Sequence, residues 1–297
     1  MANLSHLQDF ELSIYASHFP GLQLNHLSGL KKIILTGGCS HIIGGLAEAI
    51  AKSPELVHLE VDTRSCTSEV TTFHELLANV PRGITLRLTH LLLDGIYVPF
   101  DSLTLPHLRS LVHLNFKLDA YTEPALTKSG FIDPTSGDAS TITSDVYATL
   151  NREKIHLREV VTSDVSDVIL DYLESYSGLE ALDFHRFQVE VADVEKSHAL
   201  GHRFYHCVLP KHVDSIKYLT IRPDYEGEWC YDMGDVSVAL AQCKKLKLLA
   251  IAVASVPIRA RYSDDSFLYS PPGISHEDQV SFNDMVCSDD RLAVFLS

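Results

Sequence analysis

A chain of 297 residues, 45% hydrophobic and 21% charged, is too apolar for disorder and suffices for one or two globular domains. Its formal charge of -15, from 39 acidic against 24 basic residues, argues against nucleic acid or an anionic membrane as partner, since either calls for a basic face. The start, Met1 to Phe10, has neither a basic stretch nor an apolar one, so no secretory signal is expected, and the longest apolar run, Leu248 to Ala254, is far short of a bilayer span.

In chain order one pattern recurs: an apolar residue, two others, a second apolar residue, one other, and a third. It falls at Leu7/Phe10/Leu12, Leu30/Ile33/Leu35, Leu56/Leu59/Val61, Leu88/Leu91/Leu93 and Leu111/Leu114/Phe116. After a gap it resumes at Leu157/Val160/Thr162, Leu179/Leu182/Phe184, Ile216/Leu219/Ile221 and Leu246/Leu249/Ile251. Successive first positions of these nine copies are 23, 26, 32, 23, 46, 22, 37 and 30 residues apart, and 46 is twice 23, as if one copy were overwritten. The last part of each copy reads as a short strand whose fourth and sixth positions enter a core while the third and fifth face the other way.

Between strands the chain must return. His41 to Lys52 carries apolar residues near a 3.6 period and stops at Ser53-Pro54, so it predicts a helix. Glu69 to Val80, Asp164 to Tyr176, Ala192 to Leu209 and Asp235 to Cys243 read similarly. Thr122 to Asp145, rich in Ser, Thr, Pro and Gly, predicts a loop, favoured as disordered over a binding arm, with a short helix at Ser144 to Leu150. Strands alternating with crossovers make the sheet parallel.

The spaced repeat resembles leucine-rich-repeat proteins over roughly residues 4 to 255. In texture it is most similar to the F-box and leucine-rich-repeat proteins of mushroom-forming fungi. Irregular repeat lengths carry that second resemblance, with Leu179-Glu-Ala-Leu182-Asp-Phe184, Tyr225-Glu-Gly-Glu-Trp-Cys-Tyr231, and Cys243-Lys-Lys-Leu246 before Leu249-Ala-Ile251. Two departures stand out. Where many such repeats place an asparagine or cysteine beyond the strand, this chain has Tyr15, Gly38, Arg64 and Ile96, and no F-box is visible before the first copy. The expected fold is an α/β leucine-rich-repeat solenoid: a curved parallel β-sheet with helices and loops on its convex side and irregular repeats. It spans 1–256, with an insertion at 118–154 and a C-terminal tail at 257–297. The last strand, apolar on both faces, needs a cover. The tail is the favoured one, a partner chain is another, and an array lacking later repeats is the alternative.

On such a sheet the third positions form a ladder, Asp9, Lys32, His58, His90, His113, Glu159, Ala181, Tyr218 and Leu248. The fifth positions form a second, from Glu11 through Ile34, Glu60, Leu92, Asn115, Val161, Asp183 and Thr220 to Ala250. Three histidines fall on consecutive strands. The partner-binding residues expected are His58, Glu60, His90, His113, Asn115, Glu159, Asp183 and Tyr218. For pH sensing, chance placement of three among 16 histidines is the preferred reading, whereas for partner contact the two readings balance.

Chemistry candidates are few. His198, His202 and His206, at i, i+4 and i+8, share a helix face that can chelate zinc, but the face points away from Leu200, Phe204 and Val208 and lacks the Glu of a His-Glu-x-x-His motif. A metal-binding enzyme using this stripe is therefore the minor alternative, adventitious metal the favoured reading, and no metal or cofactor is expected. Phosphate-loop and nucleophile-elbow motifs are absent from the sequence. The six cysteines lack a Cys-x-x-Cys pair and read as reduced thiols, with Cys39 and Cys66 as small buried residues, placing the protein in the cytoplasm or nucleus. Trp229 reads as loop packing rather than an interface anchor. The function expected is non-catalytic recognition of a protein with basic patches. The resemblance implies target selection for a ubiquitin ligase, and an orphan scaffold without a ligase link is the alternative.

Overall fold

The computed structural model describes residues 7–14, 23–37, 40–63, 71–98, 100–117, 139–187, 194–223, 227–231, 235–252 and 293–294. The chain is α/β and divides into two compact units, Met1–Tyr176 and Ser177–Ser297.

In the first unit, strands β1 (Asp9–Ser13), β2 (Lys32–Thr36), β3 (His58–Asp62), β5 (His90–Asp94), β7 (His113–Lys117) and β8 (Glu159–Thr162) lie side by side and parallel, in chain order. A separate parallel pair, β4 (Thr71–Thr72) with β6 (Ile96–Tyr97), sits among the return segments. In the second unit β9 (Ala181–Phe187), β10 (Tyr218–Pro223) and β11 (Leu248–Ile251) are parallel neighbours, and β12 (Ala293–Val294) pairs antiparallel with β11. All nine strands expected from the repeat are present. That β12 lies against β11 puts one short piece of the expected covering tail at the strand's edge. The rest of the tail lies outside the described residues, as do Cys39, Cys66 and residues 118–138.

The repeat explains the core. Its first, fourth and sixth residues are buried from Leu30 through Ile221, and half-buried in the first copy and at Ile251. Each such apolar side chain contributes about 1.5–3 kcal/mol on burial.

Among the described residues the return segments form seven α-helices, Ser40–Ala51, Phe73–Leu77, Leu105–Leu108, Ala139–Glu153, Asp167–Glu174, Val194–Arg203 and Asp235–Ala241. Three differ from the sequence expectation. The segment read as a helix over Glu69 to Val80 narrows to Phe73–Leu77, started by a capping box between Thr72 and Glu75. The short helix expected at Ser144 to Leu150 runs over 15 residues from Ala139, so the expected loop stops earlier than Asp145. The helix expected over Ala192 to Leu209 becomes a π-turn at Phe204–Val208 and a 3-10 turn at Leu209–Lys211.

Side chains from the return segments tie down the starts of several strands. Near the start of several copies a buried backbone N–H is taken up by a side chain from the return segment that follows the strand. Leu30 N–H donates to Ser53 Oγ at 3.0 Å, Leu86 to His107 Nδ1 at 3.0 Å, Leu157 to Tyr172 Oη at 2.9 Å, and Leu179 to His212 Nδ1 at 3.3 Å. Gly29 and Gly178, each just before a first position, supply the positive φ of 70° and 106° that side-chain-bearing residues rarely adopt.

Candidate functional site

The strand starts are fixed by one repeated hydrogen-bond pattern, and that pattern builds the site. The second-position carbonyl of each strand accepts from two amides of the next. Val57 and His58 N–H donate to Lys31 O, Thr89 and His90 to Val57 O, Val112 and His113 to Thr89 O, and Arg158 and Glu159 to Val112 O. Third positions therefore stand in register across the sheet, Asp9, Lys32, His58, His90, His113 and Glu159. The fifth positions Glu11, Ile34, Glu60, Leu92, Asn115 and Val161 do the same one residue pair further on. Both ladders match the sequence expectation for this unit.

Neighbouring strands about 4.8 Å apart hold aligned flat rings at stacking distance. His58 and His90 stack with centroids 5.1 Å apart and planes 15° apart, and His90 and His113 stack at 5.5 Å and 24°. The outer rings each meet a carboxylate: His58 Nε2–H donates to Glu60 Oε1 at 2.6 Å, and His113 Nδ1–H to Glu159 Oε2 at 2.8 Å. The middle ring has the Thr89 hydroxyl at 2.9 Å from its Nδ1. Burial, and then the imidazoles of His113 and His58, hold the His90 pKa below the ordinary histidine value of 6.5, with Glu159 and Glu60 pulling the other way.

Beside the ladder lies a cavity of about 270 Å³ lined by Leu35, Thr36, Glu60, Asp62, Leu92, Asp94 and Asn115. Asp94 is buried, and the Oδ1 of Asn115 is buried with no hydrogen-bond partner among the described residues. Six of the expected contact residues, His58, Glu60, His90, His113, Asn115 and Glu159, thus share one sheet face in the first unit. Asp183 and Tyr218 occupy the fifth and third positions of β9 and β10 in the second unit, where Asp183 is half-buried and Tyr218 exposed.

The histidine stripe is not one uniform face. His202 and His206 are exposed with centroids 4.1 Å apart, whereas His198 is half-buried with its ring packed against Gly227. Among the described residues, groups of three His, Cys, Asp or Glu side chains arranged to hold a metal ion are absent. Trp229 is buried: its Nε1–H donates to Ser197 Oγ at 3.2 Å, its carbonyl accepts from Tyr205 Oη–H at 3.0 Å, and its ring packs on Phe184 and Phe204. Cys207, Cys230 and Cys243 are free thiols, and burial pushes the Cys243 thiol up to about 11. Helices long and apolar enough to cross a membrane are absent among the described residues.

What the sequence missed is the pairing. The alignment of the histidines follows from the repeat spacing, but the ring stack and the bracketing carboxylates depend on side-chain rotamers that no spacing encodes. Adjacency of His113 and Glu159 in one ladder was the available signal. Compared with protein-family models, with curated proteins and with solved structures, the chain has no match.

Proposed function

We propose that this chain is a leucine-rich-repeat solenoid that recognises a protein partner, without catalysis, on the strand face carrying His58, Glu60, His90, His113, Asn115 and Glu159. The observation carrying this reading is the in-register array of half-exposed polar side chains on contiguous strands, held rigidly by the sheet. Solenoids present such arrays as binding surfaces, whereas catalysis would call for a nucleophile and a base in one enclosed site. Asp183 and Tyr218, on strands of the second unit, are further contact positions of this reading.

The partner is a protein with basic patches, in keeping with a net charge of -15 and with Glu60, Asp62, Asp94 and Glu159 on this face. A cytoplasmic or nuclear setting goes with the reading, supported by the thiols of Cys207, Cys230 and Cys243. The resemblance to F-box and leucine-rich-repeat proteins extends it to target selection for a ubiquitin ligase. Co-purification with a ligase adaptor subunit tests that extension.

The test of the recognition reading is quantitative capture from an extract of the protein's own cells with wild type and H58A/H90A/H113A. The variant is expected to keep its far-UV circular dichroism and lose the captured protein. Equal capture by both removes this face from consideration.

A further inference from the structure

Resting on the reading of this face as a partner surface, we infer that the histidine ladder is a pH-controlled seat for a lysine- or arginine-rich segment of a partner protein. The segment binds while the three imidazoles are neutral and is expelled when they protonate.

The charges converge on this patch from every strand around it. Glu60 and Asp62 come from β3, Asp94 from β5 and Glu159 from β8, with Asp9 and Glu11 two strands away on β1. Against them stand Lys32 beside His58 and, at the register position beside Asp94, Lys117. With neutral rings the ladder's own charge is that of its two bracketing carboxylates, Glu60 and Glu159, which complements a cationic segment.

Acidification inverts the patch. Protonated His58 and His113 each neutralise the carboxylate they already bond, at 2.6 and 2.8 Å. The Nδ1 of His90 faces the Thr89 hydroxyl instead, at 2.9 Å. Its proton therefore adds a cation to a patch already neutral, 5.1 and 5.5 Å from two other imidazoliums. Those separations are shorter than the Debye length of about 8 Å in physiological salt, so screening does not erase the effect.

The sign follows from linkage. A bound cation disfavours imidazolium, so the ladder's pKa values fall on binding. Affinity is then full above the free protein's histidine range and is lost as pH drops through it. His90 is already held low in the free protein, by burial and by its two neighbours.

The experiment uses the full chain and a fluorescein-labelled peptide of alternating lysine and arginine, followed by anisotropy at pH 7.5 and pH 5.5 at fixed ionic strength. Wild type is expected to bind at the higher pH and about tenfold more weakly at the lower, the loss that goes with a one-unit pKa change on binding. H58N/H90N/H113N, with H90N alone as the milder variant, is expected to bind at pH 7.5 with most of that pH dependence gone. E60Q/E159Q is expected to bind weakly at both. Circular dichroism checks that each variant is folded.

The same pH loss in the histidine variants as in wild type overturns the ladder as the switch. Undiminished binding by E60Q/E159Q overturns this patch as the seat, and no binding by wild type at pH 7.5 overturns a cationic segment as the occupant. Failure of the recognition reading is seen separately, as equal capture of cellular partners by wild type and the alanine variant.

Discussion

Replacing Tyr172 by phenylalanine removes one oxygen and breaks two buried hydrogen bonds at the entrance to β8, the strand that carries Glu159. The Tyr172 hydroxyl donates to Ile155 O at 2.9 Å and accepts from Leu157 N–H at 2.9 Å. Tyr172, Ile155 and Leu157 are all buried, and burial holds the phenol well above the usual tyrosine range. Phenylalanine keeps the ring and its contacts with Tyr147 and Tyr176 but leaves a donor and an acceptor without a partner where water has no ready access. Each orphaned group costs about 1–3 kcal/mol, so Tyr172→Phe, which orphans two, should destabilise by about 2–6 kcal/mol. The control is Tyr218→Phe, at an exposed ring, which should change stability by no more than about 0.5 kcal/mol. Urea unfolding followed by far-UV circular dichroism reads this as a lower midpoint at unchanged slope. A shift for Tyr172→Phe no larger than the control's would refute the reasoning, because the two bonds would then not be holding the strand entrance.

Removing either neighbour of His90 should raise its pKa, since each imidazolium opposes a second charge nearby. In NMR titrations the His90 resonance of H58N and of H113N should move to higher pH than in wild type, and an unmoved midpoint would argue against the stack in solution. Burial holds the His107 pKa below the ordinary histidine value, and its ring accepts a hydrogen bond from Leu86 N–H, so the folded state keeps it neutral. Its contribution is full above the unfolded histidine pKa of about 6.5 and is lost as pH falls from there through the depressed folded value. His107→Asn should therefore flatten the loss of stability between pH 7 and pH 5.5, measured by unfolding at each pH. A Cβ on Gly201 would stand 3.1 Å from the Glu228 carbonyl carbon and 3.2 Å from the Trp229 nitrogen, so Gly201→Val should cost about 1–3 kcal/mol and alter the emission of the only tryptophan. Zinc added to the protein should leave on dialysis against a chelator, because His198 packs against Gly227 and His202 and His206 are an exposed pair; stoichiometric retention would reinstate the metal reading.

The strands were legible because a parallel strand with one buried face must repeat its apolar positions, and equal motif spacing places equivalent residues in register. That is why His58, His90 and His113 could be aligned from the sequence. The helix Ala139–Glu153 was underestimated because Ser140, Thr141 and Thr143 read as loop, although burial of Ile142, Val146, Tyr147 and Leu150 overrides their weak propensity. The side-chain caps were illegible for another reason. Serine, histidine and tyrosine serve one role at Ser53, His107, Tyr172 and His212, so no single residue type marks it. Trp229 was read correctly as packing, but its bond to Ser197 depends on the close approach that Gly201 permits.

The central claim is that a partner protein sits on the strand face of the first unit. A photo-crosslinking amino acid placed at Leu92, half-buried and in register between Glu60 and Asn115, addresses it directly when compared with the same group at the exposed Glu48 on the helix Ser40–Ala51. Irradiation in the protein's own cell extract should join a partner to the chain from Leu92 and not from Glu48. Crosslinks from Glu48 alone, or equally from both, would contradict it.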